Sequence, residues 1–332
     1  MNDKNLLGPW VRRFLLEYLV GERNLARNTQ ASYRDTLTLL LPFASKCAGI
    51  ALDKMNVEDL TAAFVRQFLD HLERDRRCAA ATRNQRLGAI HSLARFIAMR
   101  SPVHLSWCIE VRLIPFKKAD KTLIGYLEKN EMDELLKQPD RNTTLGLRDY
   151  VLLLFLYNSG ARADEAARLT IDQLRLDDPP SVRIRGKGNK IRMCPLWPMM
   201  MPLLNNLTAG RRADQVVFLG RANKPMTRFG IHRLVTRYAK MASEEIPSMR
   251  TKRISPHNIR HTTAVHMLRG GVDINTIRAW LGHVSLDTTN IYAEVDLEMK
   301  ARALASVDVS GLPAEPLRPR ALPSLMTFLR GI

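Results

Sequence analysis

Six side chains in the second half of the sequence have chemistry that suits a phosphodiester. In chain order they are Arg162, Lys187, His257, Arg260, His283 and Tyr292. Metal-free exchange of a phosphodiester builds charge on two non-bridging oxygens, and arginine can hold them because it stays protonated and donates in a fork. A lysine in a hairpin turn can protonate the leaving 5′ oxygen, a tyrosine can hold the broken end covalently, and histidines can move protons near neutral pH. These residue types therefore predict nucleophilic exchange at a phosphodiester.

The residues around the first histidine predict the start of a helix. Ser255 is a good N-cap residue and Pro256 suits the first helical position, so a helix is expected to begin close to His257. His257 and Arg260 are then neighbours at i and i+3 on one helical face. This spacing places a proton carrier beside a permanent cation.

The tyrosine follows a second helix boundary. Gly282 suits a helix C-cap, which would place His283 just past a helix end. Ser285 or Asp287 can cap the next helix, and that helix would carry Tyr292 nine residues after His283. The histidine and the tyrosine are thus expected on either side of one helix–helix connection.

Each of these segments, taken singly, also has a purely structural interpretation. Arg162 could be a surface residue, Lys187 an ordinary turn lysine, and Tyr292 a half-buried tyrosine on an amphipathic helix. His257 and His261 have the H-x-x-x-H spacing of a zinc site, but the residue after His257 is asparagine rather than the glutamate of a metalloprotease. No metal and no cofactor are therefore expected.

The composition indicates a polyanionic partner. The chain has 332 residues, 45% of them apolar, with a formal net charge of +18 and a pI of about 10.2. Nucleic acid is the first candidate and an anionic membrane surface the second. Apolar stretches such as Val151–Tyr157 are far shorter than the ~20 residues that span a bilayer, and the charged N-terminus does not resemble a signal peptide. We therefore expect a cytoplasmic protein without a membrane partner.

Helices are expected to dominate the first hundred residues. Apolar residues at helical spacing predict four of them: Pro9–Val20, a second from Asn28 or Thr29 through Leu41, Leu60–Arg74, and Ala80–Met99. Beside the apolar face of the fourth helix lies a basic stripe, which could contact phosphates or simply face solvent. The stripe consists of Arg83, Arg86 and Arg95.

The second half predicts a mixed arrangement of helices and strands. Helices are expected at Asn130–Gln138 and at the strongly apolar Leu145–Asn158. Ser181–Arg185 and Ile191–Met193 have strand patterns and flank a glycine-rich turn, which predicts a small antiparallel sheet. From there the chain is expected to be helical to about Ser306.

Between the halves, residues 106–125 show no clear period and predict a linker. Lys117 and Lys118 in this stretch, and Lys190 in the hairpin turn, are further candidates for phosphate contact. Residues 1–125 carry a net charge of +8 and residues 126–332 one of +10. Two basic domains suggest a clamp around duplex DNA.

Together the segments resemble the tyrosine recombinase (phage-integrase) family. The resemblance extends over about residues 123–305, and residues 29–33 and 82–90 have a weaker resemblance to its helical core-binding domain. The match in order and interval makes the resemblance much more specific than any single motif. The matching positions are Arg162, Glu165, Lys187, His257, Arg260, His283 and Tyr292.

The resemblance implies how the phosphate would be held. Arg162 and Arg260 would clamp the scissile phosphate, and His283 would hydrogen-bond to it. Glu165 would brace the arginine and histidine side chains.

The resemblance also implies the covalent chemistry. Tyr292 would form a 3′-phosphotyrosyl link and release a 5′ hydroxyl, with Lys187 as general acid and His257 assisting proton transfer at the tyrosine. The bond energy would be stored in the link, so neither ATP nor a metal would be needed.

The fold implied is mainly α with a small antiparallel β-sheet in the second domain, arranged as a two-domain C-shaped DNA clamp. Its expected parts are a helical core-binding (SAM-like) domain at 1–105, the linker at 106–125, a catalytic domain at 126–310 and a C-terminal tail at 311–332. The tail ends in an apolar segment, residues 325–329, after a proline-rich tether. We expect this segment to dock on a neighbouring protomer.

The function implied is site-specific recombination of double-stranded DNA, for integration, excision or transposition of a mobile element. The sequence is similar to transposon- and plasmid-borne integrases and, more distantly, to Xer-like recombinases. A tetramer on DNA, accessory recombinases or DNA-bending proteins, and a location on the bacterial nucleoid in the cytoplasm go with that role. The alternatives are a type IB-like topoisomerase and a catalytically silent DNA-binding accessory protein.

Overall fold

The computed structural model describes residues 5–118 and 125–282. Helices make up most of this part of the chain, and its strands form one small sheet. The chain divides into two compact units between Leu123 and Ile124. The expectation of a mainly helical fold with a small antiparallel sheet in the second half is confirmed.

The first unit is helical throughout its described part. Its helices are α1 (Leu7–Arg13, continuing as a π-helix at Phe14–Glu22), α2 (Arg27–Ala48), α3 (Ala62–Arg74), α4 (Ala80–Arg100) and α5 (Leu105–Arg112). In α3 the Thr61 hydroxyl caps the first turn by accepting from the Phe64 amide at 3.2 Å. Val65, Phe68 and Leu72 follow at helical spacing and are fully buried in the unit's core.

Two details of the first unit differ from the sequence expectation. α2 begins at Arg27 with Ala26 as its N-cap, because the Ala26 carbonyl already accepts from the Thr29 amide at 2.8 Å. The predicted cap at Asn28 or Thr29 is therefore wrong, and the helix starts earlier.

The predicted linker is wrong over its first half. Residues 105–112 form α5, whose Trp107 and Val111 are buried in the first unit. The Trp107 indole donates to the Leu60 carbonyl at 2.8 Å, which fixes α5 against the start of α3. Trp107, Cys108, Val111 and Ile114 do follow a helical period, but the stretch is too short for that period to stand out.

The second unit is helical with a three-stranded sheet in its described part. The helices are α6 (Lys129–Lys137), α7 (Thr144–Ser159), α8 (Ala163–Ala167), α9 (Met200–Thr208), α10 (Arg228–Glu245), α11 (Pro256–Arg269) and α12 (Ile274–Leu281). The strands are β1 (Leu174–Arg175), β2 (Ser181–Arg185) and β3 (Ile191–Pro195).

α7 is the central helix of this unit. Its residues from 150 to 159 are all buried, and it packs against α11, α9 and α6. It ends at Gly160, whose φ of +58° closes the helix in the left-handed conformation. A Cβ on Gly160 would lie 2.4 Å from Cδ2 of Leu281, so glycine also allows the end of α12 to approach. The apolar helix predicted at Leu145–Asn158 is thus confirmed as the core of the unit.

The sheet is antiparallel in the order β1-β2-β3. β2 and β3 pair with Val182 opposite Cys194 and Ile184 opposite Arg192. The turn between them is closed by a 2.8 Å hydrogen bond from the Gly186 amide to the Lys190 carbonyl. The hairpin is confirmed, whereas β1 is too short to be recognised from its sequence.

The expectation of continuous helix after the hairpin is wrong for residues 209–227. Apart from a 3₁₀ turn at Arg221–Asn223, this stretch is irregular and lies between α9 and α10. It pairs with the core through the Val217 amide, which donates to the Leu169 carbonyl at 2.7 Å. Gly210, Gly220 and Pro225 disfavour a helix here.

Candidate active site

Arg162 is the N-cap of α8 and lies three residues after Ser159, the last residue of α7, and Glu165 lies in the first turn of α8. Glu165 accepts from the Arg162 guanidinium (Nη1 to Oε1, 2.8 Å) and from the Arg162 amide (3.0 Å). The Arg162 side chain is 40% exposed and that of Glu165 only 5%. The carboxylate is therefore a buried support, and the guanidinium that it orients still reaches solvent.

A second arginine, Arg192 on β3, completes this cluster. Its Nη2 donates to Oε2 of Glu165 at 2.8 Å, and its side chain is 9% exposed. Burial alone would raise the pKa of Glu165, but the hydrogen bonds and charges of Arg192 and Arg162 outweigh it and hold the pKa below its usual value. The carboxylate therefore stays ionised between two guanidinium groups.

Arg192 also contacts two other parts of the site. A Cβ on Gly282, the C-cap of α12, would lie 3.2 Å from Cδ of Arg192, and one on Gly186 would lie 3.6 Å from its Nη1. Arg192 thus connects α8, the hairpin turn and the end of α12. The sequence analysis missed it, although its position on the inward face of β3, two residues before the buried Cys194, was a usable signal.

Arg260 is buried at the centre of the unit, with 1% exposure. Its Nη1 donates to the Gly160 carbonyl at 2.5 Å and its Nη2 to the Leu281 carbonyl at 2.6 Å. These carbonyls lie at the C-terminal ends of α7 and α12, where partial negative charge favours a cation. Arg260 therefore joins two helix ends, immediately before the segments that contain Arg162 and His283.

His257 lies one turn before Arg260 on α11, at the spacing expected from the sequence. The residue is exposed overall, but burial of part of its ring, followed by the positive charges of Arg260 and Arg162, lowers its pKa. Its ring meets that of His261 edge-on, with centroids 4.1 Å apart. A lowered pKa leaves the imidazole neutral at pH 7, which is the form that can accept a proton.

The start of α11 differs in one respect from the expectation. Ser255 is the N-cap and Pro256 follows it, as predicted, but the Ser255 hydroxyl does not cap the helix. It donates instead to Oδ1 of Asn258 at 2.6 Å, and Nδ2 of Asn258 donates to the Gly125 carbonyl at 2.8 Å. The capping role is exchanged for a tie between α11 and the first described residue of the second unit.

Three of the predicted site residues lie partly or wholly outside the described residues. The backbone of Lys187 lies in the hairpin turn, with its side chain outside the description, and His283, Tyr292 and the tail at 311–332 lie outside the described residues. The structure brings together Arg162, Glu165 and Arg260, with Gly186 of the turn and Gly282, next to His283, at the edge of the cluster.

The basic residues proposed for DNA contact fall into different environments. Arg83 is 5% exposed and donates to the Pro115 carbonyl at 2.8 Å, so its assignment to an exposed phosphate-contacting stripe is wrong. Arg86 is half-buried and donates to the Thr36 hydroxyl at 3.1 Å. Their position on the helix turns them towards the core and towards α2. Arg95, Lys117, Lys118 and Lys190 are exposed, and Lys117 pairs with Glu73 at 2.6 Å.

Two further properties concern possible ligands and membranes. Within residues 5–118 and 125–282 no group of three or more His, Cys, Asp or Glu side chains is placed to hold a metal. In the same part of the chain no helix is long and apolar enough to cross a bilayer.

Comparison with known families matches both halves of the chain. Residues 125–299 match the phage integrase family, and residues 12–101 match the phage integrase N-terminal SAM-like domain. The first match includes every catalytic position proposed from the sequence.

Relatives and solved structures agree with these family matches. The chain is 35% identical over 328 residues to integrase/recombinase y4rC of Sinorhizobium fredii, covering 98% of both chains. It is 32% identical to tyrosine recombinase XerC of Pelobacter propionicus, covering 87% of this chain and 91% of that one. XerH site-specific recombinase bound to difH DNA has the same fold, with a TM-score of 0.67 at 20% identity over 86% of this chain and 81% of that one. The Tn1549 transposon integrase has a TM-score of 0.67 at 14% identity over 91% and 99%. The chain belongs to the phage integrase family and is a tyrosine-type site-specific DNA recombinase.

Proposed function

We propose that the chain cuts and rejoins double-stranded DNA through a covalent link to Tyr292. The tyrosine oxygen attacks the scissile phosphorus, the bond from phosphorus to the 5′ oxygen breaks, and a 3′-phosphotyrosyl link remains. The 5′ hydroxyl of a second strand then attacks the same phosphorus, reforms a phosphodiester and releases the tyrosine. Each step exchanges one ester for another, so the energy of the bond is kept.

The arginine cluster supports this proposal most directly. Arg260 donates to the Gly160 carbonyl two residues before Arg162, and both cations lower the pKa of His257. Two arginines and a neutral histidine therefore lie close together, with Glu165 orienting Arg162. In our proposal Arg162 and Arg260 hold the non-bridging oxygens, whose charge grows in the transition state.

The proton transfers are assigned to two other residues, and a hydrogen bond to the phosphate is assigned to a third. His257, being neutral, accepts the proton of the Tyr292 hydroxyl, and Lys187 in the hairpin turn donates one to the leaving 5′ oxygen. His283 hydrogen-bonds to the phosphate from the segment that follows α12. Cleavage by these groups needs no metal.

The biological role that we propose is the movement of a mobile element. The match to integrase/recombinase y4rC over 98% of both chains supports an integrase over chromosome dimer resolution. Both basic halves would contact duplex DNA, and four protomers would act together, with accessory recombinases or DNA-bending proteins setting the direction of exchange. Such a role places the protein on the nucleoid in the bacterial cytoplasm. We assign residues 126–310 to catalysis and residues 1–105, extended by α5, to the first DNA-binding domain.

The decisive experiment is a search for covalent protein–DNA adducts in cells that express the wild type or Tyr292→Phe. We expect adducts from the wild type alone, joined to DNA at one recurrent sequence, because the variant lacks the nucleophilic oxygen but keeps the arginine cluster. The attached DNA is sequenced to identify the site. Adducts without sequence preference would instead favour a relaxing topoisomerase, and equal adduct levels from both proteins would disprove Tyr292 as the nucleophile.

A further inference from the structure

The first unit contains a cavity of about 350 Å³ that the proposed chemistry does not use. Arginine and aromatic side chains dominate its lining, and among the described residues that line it there is no carboxylate. The volume lies within the range of small-ligand sites. The lining residues that matter here are Arg23, Arg95, Arg112, Tyr33, Phe116 and His91.

The positive charge in this cavity is not balanced by its own walls. Arg95 and Arg112 are exposed, and within residues 5–118 and 125–282 neither forms an ion pair or a side-chain hydrogen bond. Arg23 donates to the Tyr18 hydroxyl at 3.0 Å, which leaves its charge unneutralised. The positive charge of these arginines also acts on His91. Burial lowers the pKa of His91 most, and Arg112 and Arg95 lower it further. An anion in the cavity would relieve this repulsion.

The aromatic walls are fixed by the core. Tyr33 stacks on the fully buried Phe14, with centroids 6.1 Å apart and planes 11° from parallel. Phe116 meets His91 edge-on at 5.3 Å, and Nε2 of His91 lies 3.2 Å from the Val111 carbonyl. Phe116 is nevertheless 56% exposed, so part of its ring can contact a ligand. Arginines beside aromatic rings are the combination that binds a phosphate carrying a sugar and base.

We propose that this cavity is a phosphate-binding site, in which Arg95 and Arg112 hold the phosphate and Phe116 contacts the attached sugar. The phosphate is assigned to the DNA backbone, an assignment that rests on the proposed function; a free nucleotide carries the same chemistry. The site keeps Arg95 from the stripe expected from the sequence and adds Arg112, because Arg83 and Arg86 are turned inwards.

The test with DNA measures the salt dependence of binding to a random-sequence duplex of about 40 base pairs by fluorescence anisotropy. The variant is Arg95→Gln with Arg112→Gln. Its control is Arg66→Gln with Arg74→Gln on α3, which removes the same charge from exposed arginines that have no partner among the described residues. Loss of the one phosphate that these two arginines hold should reduce the slope of log K against log salt by about 1, and the control should change it much less.

The second arm uses inorganic phosphate and AMP, with the His91 imidazole followed by NMR as pH is varied. A bound anion should raise the pKa of His91 in the wild type and not in the cavity variant, because it offsets the arginine field. If the salt slope changes only in the Arg95/Arg112 variant, the cavity binds a phosphate of the DNA backbone. If the salt slope is unchanged but the pKa of wild-type His91 rises with phosphate or AMP, the cavity binds a free nucleotide. An unchanged slope with no response to either anion overturns the site.

These outcomes are independent of Tyr292. Should the wild type form no covalent adduct, the proposed function fails, but salt slope and His91 still decide the cavity. Thermal unfolding of both double variants checks the fold. Arg95→Lys with Arg112→Lys, which keeps the charge, should retain most of the wild-type slope.

Discussion

Arg192 is a buried side chain that connects three parts of the candidate active site. It shares the Glu165 carboxylate with Arg162, at 2.8 Å in both cases, and packs beside Gly186 and Gly282. The three segments that it joins carry or adjoin Arg162, Lys187 and His283. We therefore regard Arg192 as a positioning residue for the recombination reaction.

Replacing Arg192 should impair cleavage much more than DNA binding. We expect Arg192→Gln to slow single-turnover adduct formation by about 10- to 100-fold, since displacement of a catalytic group by about 1 Å has an effect of that size. Arg192→Lys should recover part of the rate, and Arg175→Gln, at an exposed arginine on β1, should be neutral.

The pH profile separates this role from simple loss of stability. Without Arg192, burial is less opposed and the pKa of Glu165 rises, so the carboxylate protonates as pH falls. The variant should therefore lose more activity at pH 5.5 than at pH 8. A defect that is the same at both values would argue against the positioning role.

His257 makes a second prediction about pH. Because its folded pKa lies below the usual 6.5, the imidazole stays neutral, and able to accept a proton, as pH falls through 6.5. The acid limb of adduct formation at sub-saturating DNA, which reports the free enzyme, should therefore lie below pH 6.5. His257→Gln should lower the rate by about 10²- to 10⁴-fold and remove this limb. A wild-type limb above pH 6.5, or one that survives in the variant, would exclude His257 as the base.

The same shift has a defined effect on stability. As pH falls, His257 takes up a proton near pH 6.5 in the unfolded chain and only at a lower pH in the folded protein. The neutral His257 therefore makes its full contribution to the free energy of unfolding above pH 6.5. It is lost progressively as pH falls from 6.5 to the folded pKa. The direction is opposite to that of a histidine stabilised by a carboxylate.

At the scale of elements, the ends of α7 and α12 determine the site. Both helices end in left-handed glycines, Gly160 and Gly282, and the carbonyls of Gly160 and Leu281 accept hydrogen bonds from Arg260. The arrangement works because the two helix ends approach closely enough for one guanidinium to contact both. Any side chain at position 160 would therefore limit how closely the ends of α7 and α12 can approach.

Gly160→Ala should destabilise the protein and impair the site. The alanine would need a φ of +58° and would place its Cβ 2.4 Å from Cδ2 of Leu281. We expect a loss of about 1–3 kcal/mol in the free energy of unfolding, measured by denaturant titration. Gly230→Ala in α10, where the nearest atom is 3.6 Å away, should instead be neutral or stabilising by up to about 1 kcal/mol. Equal stability of Gly160→Ala and the wild type would show that the helix ends can separate freely.

At the scale of the whole molecule, we propose that the C-terminal tail makes a contact between protomers. The sequence predicts that the apolar segment at residues 325–329, which lies outside the described residues, docks on a neighbouring protomer. Its proline-rich tether gives it reach, and burial of its side chains would supply the affinity.

Deletion of residues 311–332 should therefore weaken assembly on DNA while leaving single-protomer binding intact. We expect a loss of tetrameric complexes in analytical ultracentrifugation with DNA, and a matching loss of strand exchange. Leu325→Ser with Phe328→Ser should reproduce the effect, since it removes only apolar surface. Normal assembly and exchange by the deletion protein would show that the tail is dispensable.

The sequence by itself determined the helical class, the hairpin, the helix that carries His257 and Arg260, and the family. These features depend on local periodicity, on glycine and proline at fixed positions, and on the order of a few residue types, all of which can be read along the chain. The same local information did not predict α5. Its few apolar residues form a helix because they pack into the core of the first unit and because Trp107 donates to the Leu60 carbonyl.

Only the tertiary structure decided which charged residues are exposed and which are buried against a hydrogen-bond partner. Arg83 belongs to a basic stripe in sequence but is buried beside Pro115, whereas Arg192, which no motif selected, holds the carboxylate that orients Arg162. Arg95 and Arg112, on different helices, come together in one cavity. The physical reason is that a guanidinium lies at the end of a long side chain, so its partners are set by packing between distant segments.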